Sequence, residues 1–168
     1  MTGLTIWKDA AAGALGGLAG SWVMNQFQSL WTKTAREISN DQDGGQESTS
    51  ESEDATVKTA EAISLQVLQH ELTGEEKKWG GPAVHYSFGT LLGTAYGILA
   101  EVVPAASAGY GTAYGSIAWL AADEIAVPAL GLSQSPLETP ASSHLQALVS
   151  HLIYGLTTDL VRRALVKL

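Results

Sequence analysis

The sequence predicts an all-α fold: an integral membrane bundle of four transmembrane helices, with one short amphipathic helix in the first loop. Three observations carry this expectation. The chain has 168 residues, the size of one domain, and only 15% are charged, against about 25% in ordinary soluble domains. The charges are also segregated. Residues 10–32, 79–100, 102–122 and 139–158 contain no Asp, Glu, Lys or Arg, and each window is roughly the 20 residues a helix needs to cross a hydrocarbon core of about 30 Å. Finally, the 18 glycines would weaken soluble helices but are common in membrane helices.

Helix one is expected over residues 9–30. Trp7 and Trp31 bracket it at the positions of an aromatic belt. Gly13, Gly17, Ser21 and Asn25 recur at every fourth position, with Gly16 and Gly20 beside them. Asn25 either enters the interface with Gln26 and Gln28 or faces a neighbouring helix. Residues 33–56 read as an acidic flexible linker, too poor in apolar side chains to form a core, with DQDGGQESTSESED at 41–54 holding much of the acid. Over 57–74, Val57, Ala60, Ile63, Val67, Leu68 and Leu72 follow helical spacing and Thr73-Gly74 ends the run. This segment is expected as the amphipathic extramembrane helix, lying on the bilayer or capping the bundle; His70 on it reads as a solvated histidine.

Helix two is expected over about 83–103, after Pro82 and before Pro104. It carries the most organised row in the chain: His85, Gly89, Gly93, Gly97 and Glu101, again at every fourth position. Small residues at this spacing let a second backbone come close, which is how helices pack where lipid supplies no hydrophobic drive. Helix three is expected over about 105–127, with Gly111 and Gly115 as its small positions and Asp123-Glu124 near its end. A Pro/Ser loop at 133–143 leads to helix four, about 143–165, with His144, His151, Gly155 and Asp159 on one face and Arg162, Arg163 and Lys167 at its end. Tyr96-Gly97-xxx-Glu101 echoes Tyr154-Gly155-xxx-Asp159, and Gly20-Ser21 echoes Gly115-Ser116. These echoes suggest a duplicated helical hairpin, with Ala/Gly-rich composition as the competing explanation.

Composition excludes several functions. The net charge is −8, with no basic footprint for nucleic acid. Without cysteine the chain has no disulfide, thiolate metal site or thiol nucleophile. No serine stands in a recognised nucleophile motif, so no catalytic residue is assigned and enzymatic activity is not expected. The first apolar window lacks a cleavage pattern and is expected to remain as an anchor.

The runs KTAEAIS, LTGEEKKWGGPAVHYSFGTLLGTAYGILAE, WLAADEIAVPALGLS and HLIYGLTTDLVRR, in this order, resemble the YagU-like family of small bacterial inner-membrane proteins. The resemblance covers nearly the whole chain, with 41–54 its least similar part. It implies a multi-pass inner-membrane location and this helix count. The family has no known function, so the resemblance implies no reaction and no site.

Four alternating spans put both termini on one side, A. The termini are expected in the cytoplasm, because an acidic loop can be exported with little charge penalty. Asn25, His85, Asp123, Glu124, His144 and His151 then gather near the opposite side, B, from all four helices. Glu101 and Asp159 lie at side A. Ionisable groups within spans usually face the bundle interior or a watery cavity, so the side-B group is the candidate site. Of Asp123 and Glu124, about 100° apart on a helix, only one is expected to face the centre squarely.

Two chemistries fit the group: proton handling by a His/carboxylate chain, or a first-row divalent metal at His85, Asp123 and His144. Haem is disfavoured, because the glycine grooves leave no room for a macrocycle. The alternative function is an accessory subunit that packs partner helices or a second copy through the rows Gly13, Gly17; Gly89, Gly93, Gly97; Gly111, Gly115; and Gly155.

Overall fold

The computed structural model describes residues 3–39 and 47–168. Among them the chain is helical, with no strand. In order it forms α1 (Gly3–Ser39), α2 (Glu47–Ile63) running into a π-helical turn (Ser64–Leu68), and α3 (Gly74–Val102). A 3₁₀ turn (Pro104–Ser107) precedes α4 (Thr112–Trp119), which continues through a π-helical segment (Leu120–Ala126) into α5 (Val127–Ala129). The last helix is α6 (Ala141–Val166).

Glycine rows determine how the helices meet. The row Asp9, Gly13, Gly17, Ser21 of α1 lies antiparallel against the row Gly97, Gly93, Gly89, His85 of α3. The contact is backbone to backbone: a Cβ on Gly93 would stand 2.6 Å from Gly17 Cα, and one on Gly13 would stand 2.9 Å from Gly97 Cα. The second small face of α1 meets α6, where a Cβ on Gly16 would be 2.6 Å from the Thr158 carbonyl oxygen and one on Gly20 2.9 Å from that of Tyr154. α4 lies against the far side of α6, with Gly155 so close that its Cβ would be 3.0 Å from Gly115 N. The order across the bundle is α3, α1, α6, α4. The rows are used inside the chain, each meeting the backbone of another of its helices.

Tyrosines close the bundle. Tyr96 is fully buried and its ring packs 4.7 Å from that of Tyr114. The Tyr114 hydroxyl donates to the Leu92 carbonyl (2.8 Å) and that of Tyr154 to the Gly89 carbonyl (2.6 Å). The first ties α3 to α4 and the second ties it to α6.

Several expected boundaries are corrected. Residues 33–39 and 47–56, read as linker, are helical; neither stretch contains Gly or Pro, and Gly44-Gly45 falls between them in 40–46, outside the described residues. The amphipathic run ends earlier than expected, at Gln69 in the left-handed conformation (φ 52°). It docks on the start of α3, where Cβ atoms on Gly80 and Gly81 would each be 3.0 Å from Ala60 and Val57 side chains. Thr73 does not end that run but starts α3: Glu76 N–H donates to Thr73 Oγ1 and Thr73 N–H to Glu76 Oε2 (2.7 Å), a reciprocal cap. That cap lets α3 begin nine residues before the expected 83 and carry Pro82 inside it.

The expected helix three is broken. Gly109, Tyr110 and Gly111 take φ of 62°, 55° and 84°, a left-handed turn that suits glycine and strains tyrosine. Tyr110 is held there under the Arg163 guanidinium, 5.2 Å from its ring centre. Among the described residues, no helix is both long and apolar enough to cross a membrane.

Candidate functional site

At the end of the bundle reached by the start of α3 and the start of α6, a cavity of about 320 Å³ opens between the helices. His85, Asp123, Glu124, His144 and His151 all line it. α3 supplies His85, the π-helical segment both carboxylates, and α6 the other two imidazoles. The floor is Gly89, where the α1–α3 contact closes, and Tyr154. α2 roofs it with Ala55, Thr56 and Thr59.

The π-helical segment explains why both carboxylates reach the cavity. An i→i+5 turn is wider than an α-turn, so adjacent residues diverge less around the axis. Asp123 and Glu124 therefore each meet a histidine of α6, which corrects the expectation that only one could. His144 Nδ1 lies 2.6 Å from Glu124 Oε1 and its Nε2 lies 3.0 Å from the Pro136 carbonyl. Both ring nitrogens thus face acceptors, and only the doubly protonated imidazolium donates to both. His151 Nδ1 is 3.6 Å from Asp123 Oδ2, a looser pair. The same nitrogen lies 3.0 Å from the Ala147 carbonyl. Asp123 keeps 38% of its side-chain surface accessible because it faces open cavity.

His85 stands on the opposite wall, its Nε2 3.5 Å from the Ser21 carbonyl and its ring edge-on to Tyr86. Asn25 is drawn away from the group, its amide donating to the Tyr86 hydroxyl at 3.4 Å; of its two readings, the one facing a neighbouring helix is correct. The expected metal set of His85, Asp123 and His144 does not form. Among the described residues, no three His, Asp or Glu side chains stand together as a metal site, because each carboxylate has turned to a different histidine.

A second polar cluster lies at the other end. Asp159 of α6 is fully buried, with Arg163 Nε 2.6 Å from Oδ2 and Arg162 Nη1 3.8 Å from Oδ1. Arg162 Nη2 reaches Asp9 Oδ1 of α1 at 2.6 Å, and Asp9 is 2% exposed. Glu101, expected beside Asp159, is half-buried at the end of α3. Sequence reading missed the Asp9–Arg162 pair, although two signals were present. Asp9 continues the Gly13, Gly17, Ser21 row by one step, and Arg162 follows Asp159 by three residues on one face.

Outside the bundle, Glu76 is held down to a pKa of about 2. The main cause is the Thr73 backbone N–H, with the His70 imidazole adding a further hydrogen bond. Lys77 is raised by its ion pair with Glu61 of α2.

The profile of a protein family of unknown function, DUF1440, matches residues 55–160. The chain belongs to the DUF1440 family. The matched stretch includes every histidine and carboxylate of the cavity, while Arg162 and all of α1, with Asp9, lie outside it. No curated protein and no solved structure matches this DUF1440 chain.

Proposed function

We propose that this DUF1440 protein is a small multi-pass membrane protein, of the YagU-like inner-membrane kind, whose cavity is a proton-exchanging site. The membrane part rests on the direction in which side chains face. Trp22, Leu91 and Ile117 point outward, 58–67% exposed, while Asp9, Ser21, Gln146, Ser150, Thr158 and Asp159 are buried. Polar inside and apolar outside is the arrangement that lipid favours. Glycines and inward polar groups lower the mean hydropathy of each helix, yet lipid would meet only the outward side chains. Trp7 and Trp31 are 24 residues apart on α1, about 36 Å at 1.5 Å per residue, which suits belts at two interfaces. Both termini then share one side, assigned to the cytoplasm.

The proton reading is carried by one observation: His144 lies between Glu124 and the Pro136 carbonyl, so both contacts are hydrogen bonds only when a proton sits between the ring and Glu124. His151–Asp123 is a second, looser pair in the same cavity. Imidazoles exchange protons near neutral pH and are costly to keep within a membrane without a use.

Two measurements test the proposal. Carbonate extraction of membranes should leave the protein in the pellet; release into the supernatant would refute the membrane part. Nitrogen NMR of the imidazoles across pH should show the His144 titration altered by Glu124→Gln and that of His151 by Asp123→Asn, each more than by the crossed change. Titrations indifferent to both changes would refute the proton site.

A further inference from the structure

We infer that the cavity binds an organic amine, as an ammonium with a compact apolar body, and that the ammonium displaces a proton from the His151–Asp123 pair. This rests on the proton-exchange reading and names the ligand class of the same site. Size and lining come first. A cavity of about 320 Å³ walled by Met24, Phe88, Leu92, Val127 and Leu130 has the apolar character of a small-molecule site with a few convergent polar groups.

Charge then selects the sign. Among the described residues, no lysine or arginine lines the cavity. Its ionisable groups are the two carboxylates of the π-helical segment, His85 of α3, His144 and His151 of α6, and the Tyr154 phenol, which already donates to the Gly89 carbonyl. The described lining residues of α1 and α2 carry no charge. Among the described lining residues, the positive charges available to Asp123 and Glu124 are therefore removable protons on imidazoles. A bound anion would face two carboxylates with no permanent cation to offset them, and like charges at short range in a poorly solvated site are strongly unfavourable.

Geometry distinguishes the two carboxylates. Glu124 is engaged by His144 at 2.6 Å, a charge-assisted bond that leaves the pair neutral as a unit. Asp123 is 3.6 Å from His151, longer than a good hydrogen bond, and faces the open cavity. An ammonium donating to Asp123 supplies the positive charge that a protonated His151 otherwise sets 3.6 Å away, and the His151 ring releases its proton to water. One cation enters, one proton leaves, and the net charge of the site is unchanged. His85 lines the same cavity, with no carboxylate partner among the described residues.

The experiment uses the full chain in lipid nanodiscs and three probes of matched shape: phenylbutylamine, phenylbutanol and phenylbutanoate, each titrated calorimetrically against empty nanodiscs as the blank. At about pH 8 the amine should bind roughly tenfold or more tighter than the alcohol, and the carboxylate should bind weakest. Lowering the pH through the range of imidazole titration should weaken the amine by up to about tenfold per unit, with about one proton released per amine bound, read from buffers of different ionisation enthalpy. Asp123→Asn should lose the amine preference while still binding the alcohol, which shows that the variant is folded. Equal affinity for amine and alcohol, tighter binding of the carboxylate, or amine binding without proton release would each overturn the inference. If the amine fails while the paired imidazole titrations persist, the ligand class falls and the proton site stands. If both fail, both readings fall.

Discussion

Gly93 is the point at which one added carbon tests the packing of the whole bundle. A Cβ there would stand 2.6 Å from Gly17 Cα and 2.8 Å from Gly17 N, whereas ordinary contact begins at 3.4 Å. Both opposing atoms are backbone, so no rotamer change relieves the clash and α1 must retreat by about 0.8 Å or more. That retreat would loosen the neighbouring contacts of the same seam, Gly13 on Gly97 and Gly17 on Gly89. Overpacking of this kind costs about 1–3 kcal/mol, of which Gly93→Ala recovers up to about 1 kcal/mol through helix propensity. Gly93→Leu has no comparable compensation and should lower the thermal midpoint of the protein in lipid or detergent well below wild type, with Gly93→Ala between. Gly74, which has nothing within 4 Å of its Cβ position, supplies the control: Gly74→Ala should melt at or above wild type. A Gly93→Leu protein melting with wild type, or Gly93→Ala no less stable than Gly74→Ala, would refute the seam.

Arg162→Met leaves buried Asp9 uncompensated and should cost about 3–5 kcal/mol; Asp9→Asn should cost less, because Arg162 keeps Asp159 Oδ1 at 3.8 Å, and the double change should cost less than the sum of the two, measured by a denaturation cycle. Tyr154→Phe removes the donor to the Gly89 carbonyl and should cost about 1 kcal/mol in the same assay. The Thr73–Glu76 cap should be pH-dependent. Because the Glu76 pKa is lowered from 4.5 to about 2, its contribution is complete above the unfolded value and is lost as pH falls through about 2. Amide exchange at the first turn of α3 should accelerate over that acid range in wild type, and be fast throughout in Glu76→Ala.

The all-α class, the glycine rows and the gathering of His85, Asp123, Glu124, His144 and His151 were legible because each follows from spacing. A period of four marks a helix ridge, and alternation of direction brings the start of one helix beside the end of the next. The pairing within the site was not legible. Nothing in LAADEIA marks a π-helical turn, and on an α-helix Asp123 and Glu124 cannot both face α6. The break at 108–111 had its signal in Gly109 and Gly111, but glycine serves equally as a packing surface and as a left-handed turn, and Gly111 does both. Asp9 was read as a helix end because a charge beside an apolar window ordinarily is one. Only the position of Arg162 on a distant helix makes it a core residue.

Whether lipid meets the outward face of the bundle is tested most directly by spin labels. The chain has no cysteine, so single cysteines at Trp22, Leu91 and Ile117 can each be labelled without background. Embedded positions should collide with oxygen dissolved in lipid and be shielded from an aqueous nickel chelate, while a label at exposed Glu75, beyond the α3 cap, shows the reverse. Trp22, Leu91 and Ile117 labels that are all open to the nickel chelate in reconstituted membranes would contradict the membrane-embedded site.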